Sequence, residues 1–587
     1  MLDPRIYRAA FLPVIFALVL VGFSLREQPN GATTALTPDA FDGDAAFTQL
    51  DQLATAAPNR LPGSRGDRLV AQRVSDGFSA NGFRVSERSF QAETVDGERQ
   101  VQTVIGERTG FSSGKLVVVA ARDAVGTGAR AQLSGTAALL QLAQVLGGRT
   151  LDRTLELASI SGGPAAAQEL ASHLGGSADA VIVLGDLAGT ATRQPVVVPY
   201  GDNASSASMQ LRRTVEMAVS TEVGLTSAGT GLANQFVRLA APLTLGAQGP
   251  FNGDGVSAVL LSASGERPPA ADAPVSAQRL TAFGRAALRA LSALDARSPV
   301  PAPQPYLLLE QKLLPEWPIR LLGVVLLLPV LLSTIDGFAR VRRRKEPVGR
   351  WLRWVGACVL PFLIGVVLIK LLKATGVLDA APPGPVAADW VPRDGAALAA
   401  IVSVVVVTAV GWFALRPLAA RAIGVPRGTP TQGAAAAALI VLCACALIVW
   451  VLNPYTALLL VPALHLWLLA VGTTERLHPL AALAMFAVGL VPPLLIGLSY
   501  MLQFGLDPLQ LLWMGLLLVA GGGVSLPTAL GWAVVLGCGG AVLLIVVRGA
   551  FAGGPDERGT GKAASVRGPR SYAGPGSLGG TESALRR

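Results

Sequence analysis

The sequence predicts two parts: an α/β outer domain with a mostly parallel sheet and helices on both faces, and an all-α multispan transmembrane domain. Hydrophobic residues make up 51% of the 587 residues and charged residues only 15%, which is too apolar for one soluble globule. Apolar stretches of about one bilayer thickness recur after residue 318. Between residues 38 and 298, strand-like and helix-like runs alternate, which is typical of an α/β domain.

An apolar stretch near the N-terminus, residues 9–25, follows two arginines. This layout is typical of a signal peptide or an uncleaved anchor, and the lack of a small-x-small cleavage site favours a signal anchor over residues 1–30. The second span, residues 319–338, is followed at once by a basic run. Positive charge marks the cytoplasmic side at both spans, so residues 38–298 are predicted to be the extracytoplasmic domain of a multi-pass cell-membrane protein.

The outer domain is predicted to contain buried parallel strands separated by helices. The strands are predicted at residues 115–120, 154–160, 181–184 and 256–261, and helices at 134–145 and 280–294. Ser134 is predicted to cap the first of these helices. Because ligands of parallel sheets gather beyond the C-terminal strand ends, we expect one crevice along three loops, at residues 122–132, 161–166 and 186–189.

Seven further apolar stretches follow residue 353, separated by short polar or proline-containing breaks: about 354–373, 395–415, 433–452, 455–472, 479–500, 508–524 and 527–548. With the first two they give nine spans, or eight if one late stretch does not cross, and about eight of them lie in the region 318–550. Nine spans would put the basic tail outside, against the charge rule, unless one late stretch fails to cross near the uncharged turn 521–528. The tail 551–587 is rich in Gly, Ser and Arg and is predicted to be disordered.

The net charge of +10 lies beside the apolar stretches. Residues 340–353 hold seven basic residues and one acidic residue, and residues 551–587 hold six and three, so these segments carry nine of the ten net charges. Basic runs next to spans attract anionic lipid heads, whereas a nucleic-acid-binding protein spreads its charge over a folded face. We therefore expect membrane lipids, and no nucleic acid, among the partners. The bias toward Ala, Gly, Val and Arg is typical of a GC-rich bacterial genome.

Three segments at the predicted crevice share the spacing of a known enzyme signature. They are Ala120-Ala121-Arg122-Asp123-Ala124, the glycine-flanked segment from Gly128 to Gly135 that leads into a helix, and Ser161-Gly162-Gly163-Pro164 after a strand. In this framework residues 60–298 resemble the M28 zinc aminopeptidases, and residues 60–64 resemble the family's lead-in segment. The resemblance implies a peptidase-type α/β fold with its site at these loops.

The same resemblance places residues without donor atoms where the family has its metal ligands. Ala121 matches the first histidine ligand, and Ala131 matches the bridging aspartate. Gly163 and Pro164 match the general base and an adjacent metal-binding carboxylate. The segment 265–275, where the last histidine is expected, contains none. A two-zinc site needs about five N/O ligands and a carboxylate base, so the resemblance implies a pseudopeptidase without cofactor or catalytic residue.

Two carboxylates remain at family positions, Asp123 and Asp186. Without histidine they form at most a weak oxygen site, better suited to Ca²⁺ or Mg²⁺ than to zinc, and the favoured interpretation is that both are helix-cap or loop carboxylates. The predicted ligand-binding crevice comprises Arg122, Asp123, Arg130, Ser134, Ser161 and Asp186. The two arginines would pair with a carboxylate or phosphate of a ligand, or remain solvated.

Within the apolar stretches, His465 is the titratable residue placed well inside a span, which makes it a functional candidate. Lys370 and Lys373 lie near a span end and are predicted to snorkel toward lipid. A single histidine without an acidic partner argues against proton-coupled transport, although the prolines at positions 462, 492 and 493 would kink helices and open a cavity.

The function that the resemblance implies is binding or scaffolding at the outer membrane face, presenting a peptide, lipid-linked or cell-envelope ligand to a membrane-protein partner. M28-like domains tethered to multispan tails also occur in an endoplasmic-reticulum metallopeptidase and, as a closer analogy, in the large non-catalytic subunit of GPI transamidase. Two alternatives stay open: an active membrane-bound M28 metallopeptidase that holds zinc through displaced ligands, and a transporter or lipid-handling protein with an accessory domain.

Overall fold

The computed structural model describes residues 4–34, 38–226, 230–296, 299–378, 381–387, 390–391, 395–425, 432–472 and 477–551. The first described segment contains two consecutive helices, α1 (Pro4–Ala9) and the apolar α2 (Leu12–Phe23), followed by the short strand β1 (Arg26–Glu27). β1 completes a small antiparallel sheet with a hairpin that lies just before the second apolar helix, β9 (Tyr306–Leu309) and β10 (Lys312–Pro315).

A seven-stranded mixed sheet forms the centre of the α/β domain, in the order β2-β3-β5-β4-β6-β8-β7. Its strands are β2 (Arg84–Thr94), β3 (Gly97–Arg108), β4 (Lys115–Ala121), β5 (Thr154–Ile160), β6 (Ala180–Leu184), β7 (Val197–Val198) and β8 (Ala258–Leu261). The central four strands are parallel, as the continuous apolar runs predict. The outer strands are antiparallel, because β2 and β3 form a tight hairpin and β7 pairs back onto β8.

Helices cover both faces of this sheet. The helices of the α/β domain are α3 (Gly43–Ala56), α4 (Arg65–Ala80), α5 (Arg130–Gly147), α6 (Pro164–Leu174), α7 (Met209–Glu222), α8 (Leu232–Ala240), α9 (Gln248–Gly253) and α10 (Ala277–Asp295). Helix α8 does not pack on this sheet but on the small sheet and the helical bundle. Helices α3, α4, α5, α7 and α10 bury one sheet face, while α6 and α9 bury the other. The predicted alternation of strands and helices is confirmed, because residues 117–120 of β4 are fully enclosed between these two layers.

The helical region contains several apolar helices long enough to cross a membrane. Its elements are α11 (Glu316–Arg343), α12 (Val348–Ala374), α13 (Gly395–Val410), α14 (Arg416–Ala422), α15 (Gln432–Leu452), α16 (Pro454–Gly472), α17 (Pro479–Gly489), α18 (Val491–Phe504), α19 (Pro508–Gly521) and α20 (Leu526–Phe551). A π-helical turn, Gly411–Leu415, joins α13 to α14. Among the described residues, seven helices meet the length and composition of a span, or eight if the α17–α18 pair, bent by 41°, counts as one.

Helix α19 differs from the full-length apolar helices because it has only 14 residues. Its start follows Gly505, which packs against Arg267 of the α/β domain, and its end at Gly521 packs against the backbone of Pro382. The neighbouring Gly384 in turn packs against Pro164 of the α/β domain. Both ends of α19 therefore lie on the side of the bundle that faces the α/β domain, and the predicted stretch 508–524 does not run from one side to the other.

The α/β domain docks directly onto one end of the helical bundle. The Asn453 side-chain amide donates to the carbonyl oxygen of Leu239 at 2.8 Å, and the Tyr500 hydroxyl donates to that of Ala241 at 2.5 Å. Lys373 forms an ion pair with Glu93 of strand β2. The prediction that Lys373 snorkels toward lipid is therefore wrong, because the docked domain supplies a carboxylate at that position.

Candidate functional site

The three loops predicted to share a crevice do meet at the C-terminal ends of the parallel strands. The backbone N–H of Gly162, after β5, donates to Asp123 Oδ2, after β4, at 3.3 Å. The backbone N–H of Leu187, after β6, donates to Ser134 Oγ on α5 at 2.8 Å. These contacts join the loops into one unit, as the strand order requires for consecutive parallel strands.

Arg122 lies beneath the crevice. Its side chain is 1% exposed and its Nε is 2.8 Å from Asp67 Oδ1 at the start of α4. The same guanidinium donates to the carbonyl oxygens of Ser159, at 2.8 Å, and Gln102. A buried charge needs such a partner and such hydrogen bonds. Arg122 therefore joins α4 to β3 and β5 and does not line the cavity described below.

Arg60, which was not among the predicted site residues, holds the first crevice loop in place. It is fully buried, and its guanidinium donates to four backbone carbonyl oxygens, those of Ala57, Arg122, Gly128 and Ala129. Burial lowers the pKa of Arg60, opposed by the carboxylates of Asp123 and Asp67. Its position in the segment 60–64, which resembles the M28 lead-in segment, was the sequence feature that could have indicated a role at the crevice.

Ser134 and Ser161 are both fully buried. Ser134 lies inside α5, where its Oγ donates to the carbonyl oxygen of Ala131 at 2.6 Å. The predicted cap at Ser134 is wrong: α5 begins at Arg130, and its N-cap residue, Ala129, has a left-handed backbone and no side-chain cap. Ser161 Oγ donates to Asp67 Oδ2 at 2.9 Å, so both hydroxyls serve hydrogen bonds inside the protein.

Arg130 and Asp186 are both occupied by interactions within the protein. Arg130 forms an ion pair with Asp51 of α3, and its guanidinium lies 5.4 Å from the centre of the Phe47 ring. Asp186 Oδ1 accepts hydrogen bonds from the backbone N–H groups of Ala188, at 3.2 Å, and Gly189, at 2.7 Å. Burial raises the pKa of Asp186, while these hydrogen bonds act in the opposite direction.

Asp123 differs from the other predicted site residues because it faces a cavity. One carboxylate oxygen, Oδ2, accepts from Gly162, whereas Oδ1 is buried and has no hydrogen-bond partner in the part of the chain that the structure describes. Burial raises the pKa of Asp123 to about 6, with a further contribution from the nearby Asp67 carboxylate. A buried carboxylate oxygen without a donor is unfavourable and favours a ligand that donates.

The cavity beside Asp123 has a volume of about 170 Å³ and is shared by the two parts of the protein. The α/β domain contributes residues from β4, β5, α6, α9 and the adjoining loops: Ala121, Asp123, Ile160, Gly163, Pro164, Gln168, Asp202, Thr244, Leu245, Gly246, Ala247, Pro250 and Pro268. The segment between α12 and α13 covers it with residues 383–387, here called the roof loop, and with Trp390. Nothing in the amino-acid sequence of this segment predicts that it covers the crevice.

The residues at this crevice do not fit the pair of zinc ions that the M28 resemblance implies. Ala121, Gly163 and Pro164 line the cavity, and none of them carries a side-chain donor atom for a metal. Asp123 and Asp186 remain, but Asp186 already binds two backbone N–H groups. Throughout the described ranges, no group of three or more His, Cys, Asp or Glu residues is placed to hold a metal ion.

His465, the candidate inside the helical region, connects three helices. Its Nε2 lies 2.9 Å from the carbonyl oxygen of Leu326, and its Nδ1 lies 2.6 Å from the Tyr7 hydroxyl. Because a carbonyl oxygen only accepts, Nε2 carries the proton and Nδ1 accepts from Tyr7. Both ring nitrogens are therefore engaged, and His465 attaches the N-terminal helix to α11 and α16.

Solved structures similar to this chain include zinc aminopeptidases and glutaminyl cyclases. A leucine aminopeptidase precursor from Bacteroides thetaiotaomicron is 14% identical, with a TM-score of 0.37, over 45% of this chain and 100% of its own. A glutaminyl cyclase from an Acidobacteriales bacterium is 17% identical, with a TM-score of 0.36, over 46% and 100%. A zinc aminopeptidase from Bacillus subtilis is 11% identical, with a TM-score of 0.35, over 45% and 95%.

No family model and no curated protein matches the sequence.

Proposed function

We propose that this protein is a membrane-embedded, catalytically inactive M28-like protein that binds a ligand beneath the roof loop. The observation that carries the proposal is the chemistry of the cavity wall. Ala121, Gly163 and Pro164 lie where the M28 resemblance expects a metal ligand, the general base and a second carboxylate. Hydrolysis of a peptide by this family's chemistry needs a metal-activated water and a base, and these three residues supply neither.

The proposed ligand carries a primary amine or a similar small cation. Asp123 Oδ1 is buried without a donor, and Asp202 adds a second carboxylate to the cavity wall. Among the described residues that line the cavity there is neither a lysine nor an arginine. An ammonium group would supply the missing hydrogen bond and neutralise the charge, and a charge-assisted hydrogen bond of this kind is stronger than a neutral one.

The roof loop makes the helical region part of the proposed binding site. Gly384 packs against Pro164 with no space for a side chain between them, and Val386 and Ala387 complete the cavity wall. The loop is held from below by an apolar cluster with α19 that includes Val386 and Trp513. A ligand bound beside Asp123 would thus contact both parts of the protein, which supports a role in presenting it to a partner in the membrane.

Binding of a small amine tests this proposal directly. The probes are n-propylamine and n-propanol, which have the same shape but differ in charge, added to the full-length protein in nanodiscs at pH 7.5. We expect propylamine to raise the thermal unfolding midpoint and propanol to leave it unchanged, because a ligand stabilises only the state that it binds.

Two variants complete the amine test. Asp123→Asn should abolish the effect of propylamine, whereas the exposed control Asp272→Asn should retain it. Binding should also weaken about tenfold from pH 7.5 to pH 5, because a carboxyl group with a pKa of about 6 becomes protonated in that range. Equal responses to amine and alcohol, or a full response in Asp123→Asn, would contradict the amine site.

A further inference from the structure

An arginine near the end of an apolar helix has hydrogen-bond donors without acceptors. Arg416 follows the π-helical turn Gly411–Leu415 in the 28-residue apolar helix Gly395–Ala422. Its Nε and Nη1 atoms are enclosed, yet they make no hydrogen bond with any described residue. The guanidinium lies 4.6 Å from the centre of the Trp412 ring, which holds it by a cation–π contact. π-Helical turns frequently mark functional sites.

The surroundings of Arg416 add positive charge. Arg548, in the last turn of α20, is close enough to repel it, and the neighbour on α12 is the thiol of Cys358, a weak acceptor. Within the described ranges no carboxylate forms an ion pair with Arg416 or Arg548. Two like charges at an apolar helix end are unfavourable without a counter-charge.

We propose that Arg416 and Arg548 bind the phosphate of an anionic phospholipid. A guanidinium presents a planar fork of N–H donors that matches two phosphate oxygens. The same helix exposes three large apolar side chains around Arg416, namely Phe413, Leu415 and Leu418, with 77%, 42% and 55% exposure. Acyl chains would cover this apolar surface, which favours a lipid over free phosphate as the occupant.

The site lies away from the crevice. Arg416 contacts α12 and α20 near the ends of those helices that do not bear the roof loop, since the roof loop follows the other end of α12. Lipid binding at Arg416 and ligand binding at Asp123 are therefore separate proposals, and either one stands without the other.

The test counts lipids that stay bound to the full-length protein. The protein is released from nanodiscs containing equal amounts of phosphatidylglycerol and phosphatidylcholine, and native mass spectrometry measures the retained molecules of each. We expect the wild-type protein to retain more phosphatidylglycerol than phosphatidylcholine. In Arg416→Gln the ratio of the two retained lipids should fall at least fivefold. Arg421→Gln removes an exposed arginine of the same helix and should stay within twofold of wild type.

A second variant and a competitor separate the alternatives. Arg416→Lys keeps the positive charge but not the planar set of guanidinium donors, so we expect an intermediate preference for phosphatidylglycerol. An intermediate value would also show that the loss in Arg416→Gln does not come from misfolding. Inorganic phosphate at 50-fold excess, about the ratio needed for competition by mass action, should not displace the lipid. Displacement by phosphate would overturn the lipid assignment. An equal loss in Arg416→Gln and Arg421→Gln would overturn the site, since general surface charge would explain both.

Discussion

At the scale of single residues, the crevice has a floor of buried, hydrogen-bonded polar side chains and one carboxylate oxygen without a hydrogen-bond donor. Arg60, Arg122 and Asp67 are buried and mutually supported, and they fix the loops after β4 and β5. Asp123 stands above them with one oxygen unpartnered. These buried residues determine where the crevice lies, whereas Asp123 is the residue that would set the ligand charge in the proposed site.

The charge of Asp123 should lower the free energy of unfolding at neutral pH. An unfolded aspartate has a pKa of about 3.9, and burial raises the pKa of Asp123 to about 6 in the folded protein. Between these values the folded state holds the proton more tightly, so its stability falls as pH rises through this window. Asp123→Asn should therefore be more stable than wild type at pH 7, by about 2 kcal/mol, and equal to it near pH 4.

Thermal unfolding of both proteins at pH 4, 5, 6 and 7 measures the Asp123 effect, and Asp272→Asn serves as the exposed control. Other titrating groups are the same in the compared proteins and cancel in the difference. A gap between Asp123→Asn and wild type that does not change with pH would contradict a raised pKa at this carboxyl group.

The ion pair between Arg122 and Asp67 should be cooperative. Arg122→Met leaves Asp67 buried without its charge partner, and breaking a buried pair in this way costs about 3–5 kcal/mol. The double variant Arg122→Met with Asp67→Asn removes both charges, so we expect part of the stability to return. The measurement is the thermal midpoint of the three variants beside the exposed control Arg65→Met. Additive losses in the double variant would show that the two charges act independently.

At the scale of elements, α19 explains why the span count was ambiguous from the sequence. Its composition matches a span, but its 14 residues cover about 21 Å at 1.5 Å per residue, less than a bilayer core of about 30 Å. The helix instead supports the roof loop through Trp513, Leu516 and Leu517. An apolar helix that supports a loop can have the same hydropathy as a helix that crosses the membrane, so only tertiary contacts distinguish the two.

Both flanks of α19 should therefore be accessible from the side of the α/β domain. Ser525→Cys, placed just after α19, is expected to react with a membrane-impermeant maleimide in intact cells. Asp272→Cys on the α/β domain provides a control for the same side, and Arg342→Cys, in the last turn of α11, should react only after permeabilisation. Reaction of Ser525→Cys only in permeabilised cells would mean that α19 crosses the membrane.

The strand pattern was the part of the fold that the sequence predicted best. The predicted runs at 115–120 and 154–160 fall within β4 and β5, because a central parallel strand is apolar on both faces. The N-cap of α5 was predicted at Ser134, five residues late, because a serine before an apolar run is the usual N-cap signal. The N-cap residue in the structure is Ala129, which has a left-handed backbone and no side-chain cap.

The composition of the crevice was predicted only in part. Loop positions followed from strand ends, so Asp123 could be placed there. Whether Arg122 or Asp186 faces outward depends on its partners in the folded protein. The partner of Arg122, Asp67, is 55 positions earlier in the chain, and no local sequence pattern predicts that the two will meet. The roof loop contains Pro, Gly, Ala and Val, and nothing in this composition indicates which surface it will cover.

At the scale of the whole molecule, the α/β domain and the helical bundle together enclose the cavity beside Asp123. Hydrogen bonds from Asn453 and Tyr500, together with the ion pair of Lys373, attach the domain to one end of the bundle. This arrangement brings the roof loop over the crevice. An isolated α/β domain would lack one wall of the cavity, so binding experiments require the full chain.

Closure by the roof loop should matter for ligand binding. A methyl group at position 384 would lie 2.6 Å from Pro164 Cβ, well inside contact distance, whereas Gly349 has open space around it. We expect Gly384→Ala to displace the loop and weaken propylamine binding at least fivefold, with Gly349→Ala unchanged. The measurement is the propylamine concentration that gives half of the maximal shift in thermal midpoint. Unchanged binding in Gly384→Ala would show that the loop is not part of the site.

The proposed function requires a crevice that has lost hydrolytic chemistry and binds its ligand intact. Metal content and aminopeptidase activity of the full-length protein, purified without chelators and in the presence of zinc, test it most directly. We expect substoichiometric zinc and no chelator-sensitive release of N-terminal residues from peptides. About two zinc ions per chain, the number expected of a cocatalytic site, together with activity that a chelator removes, would contradict it.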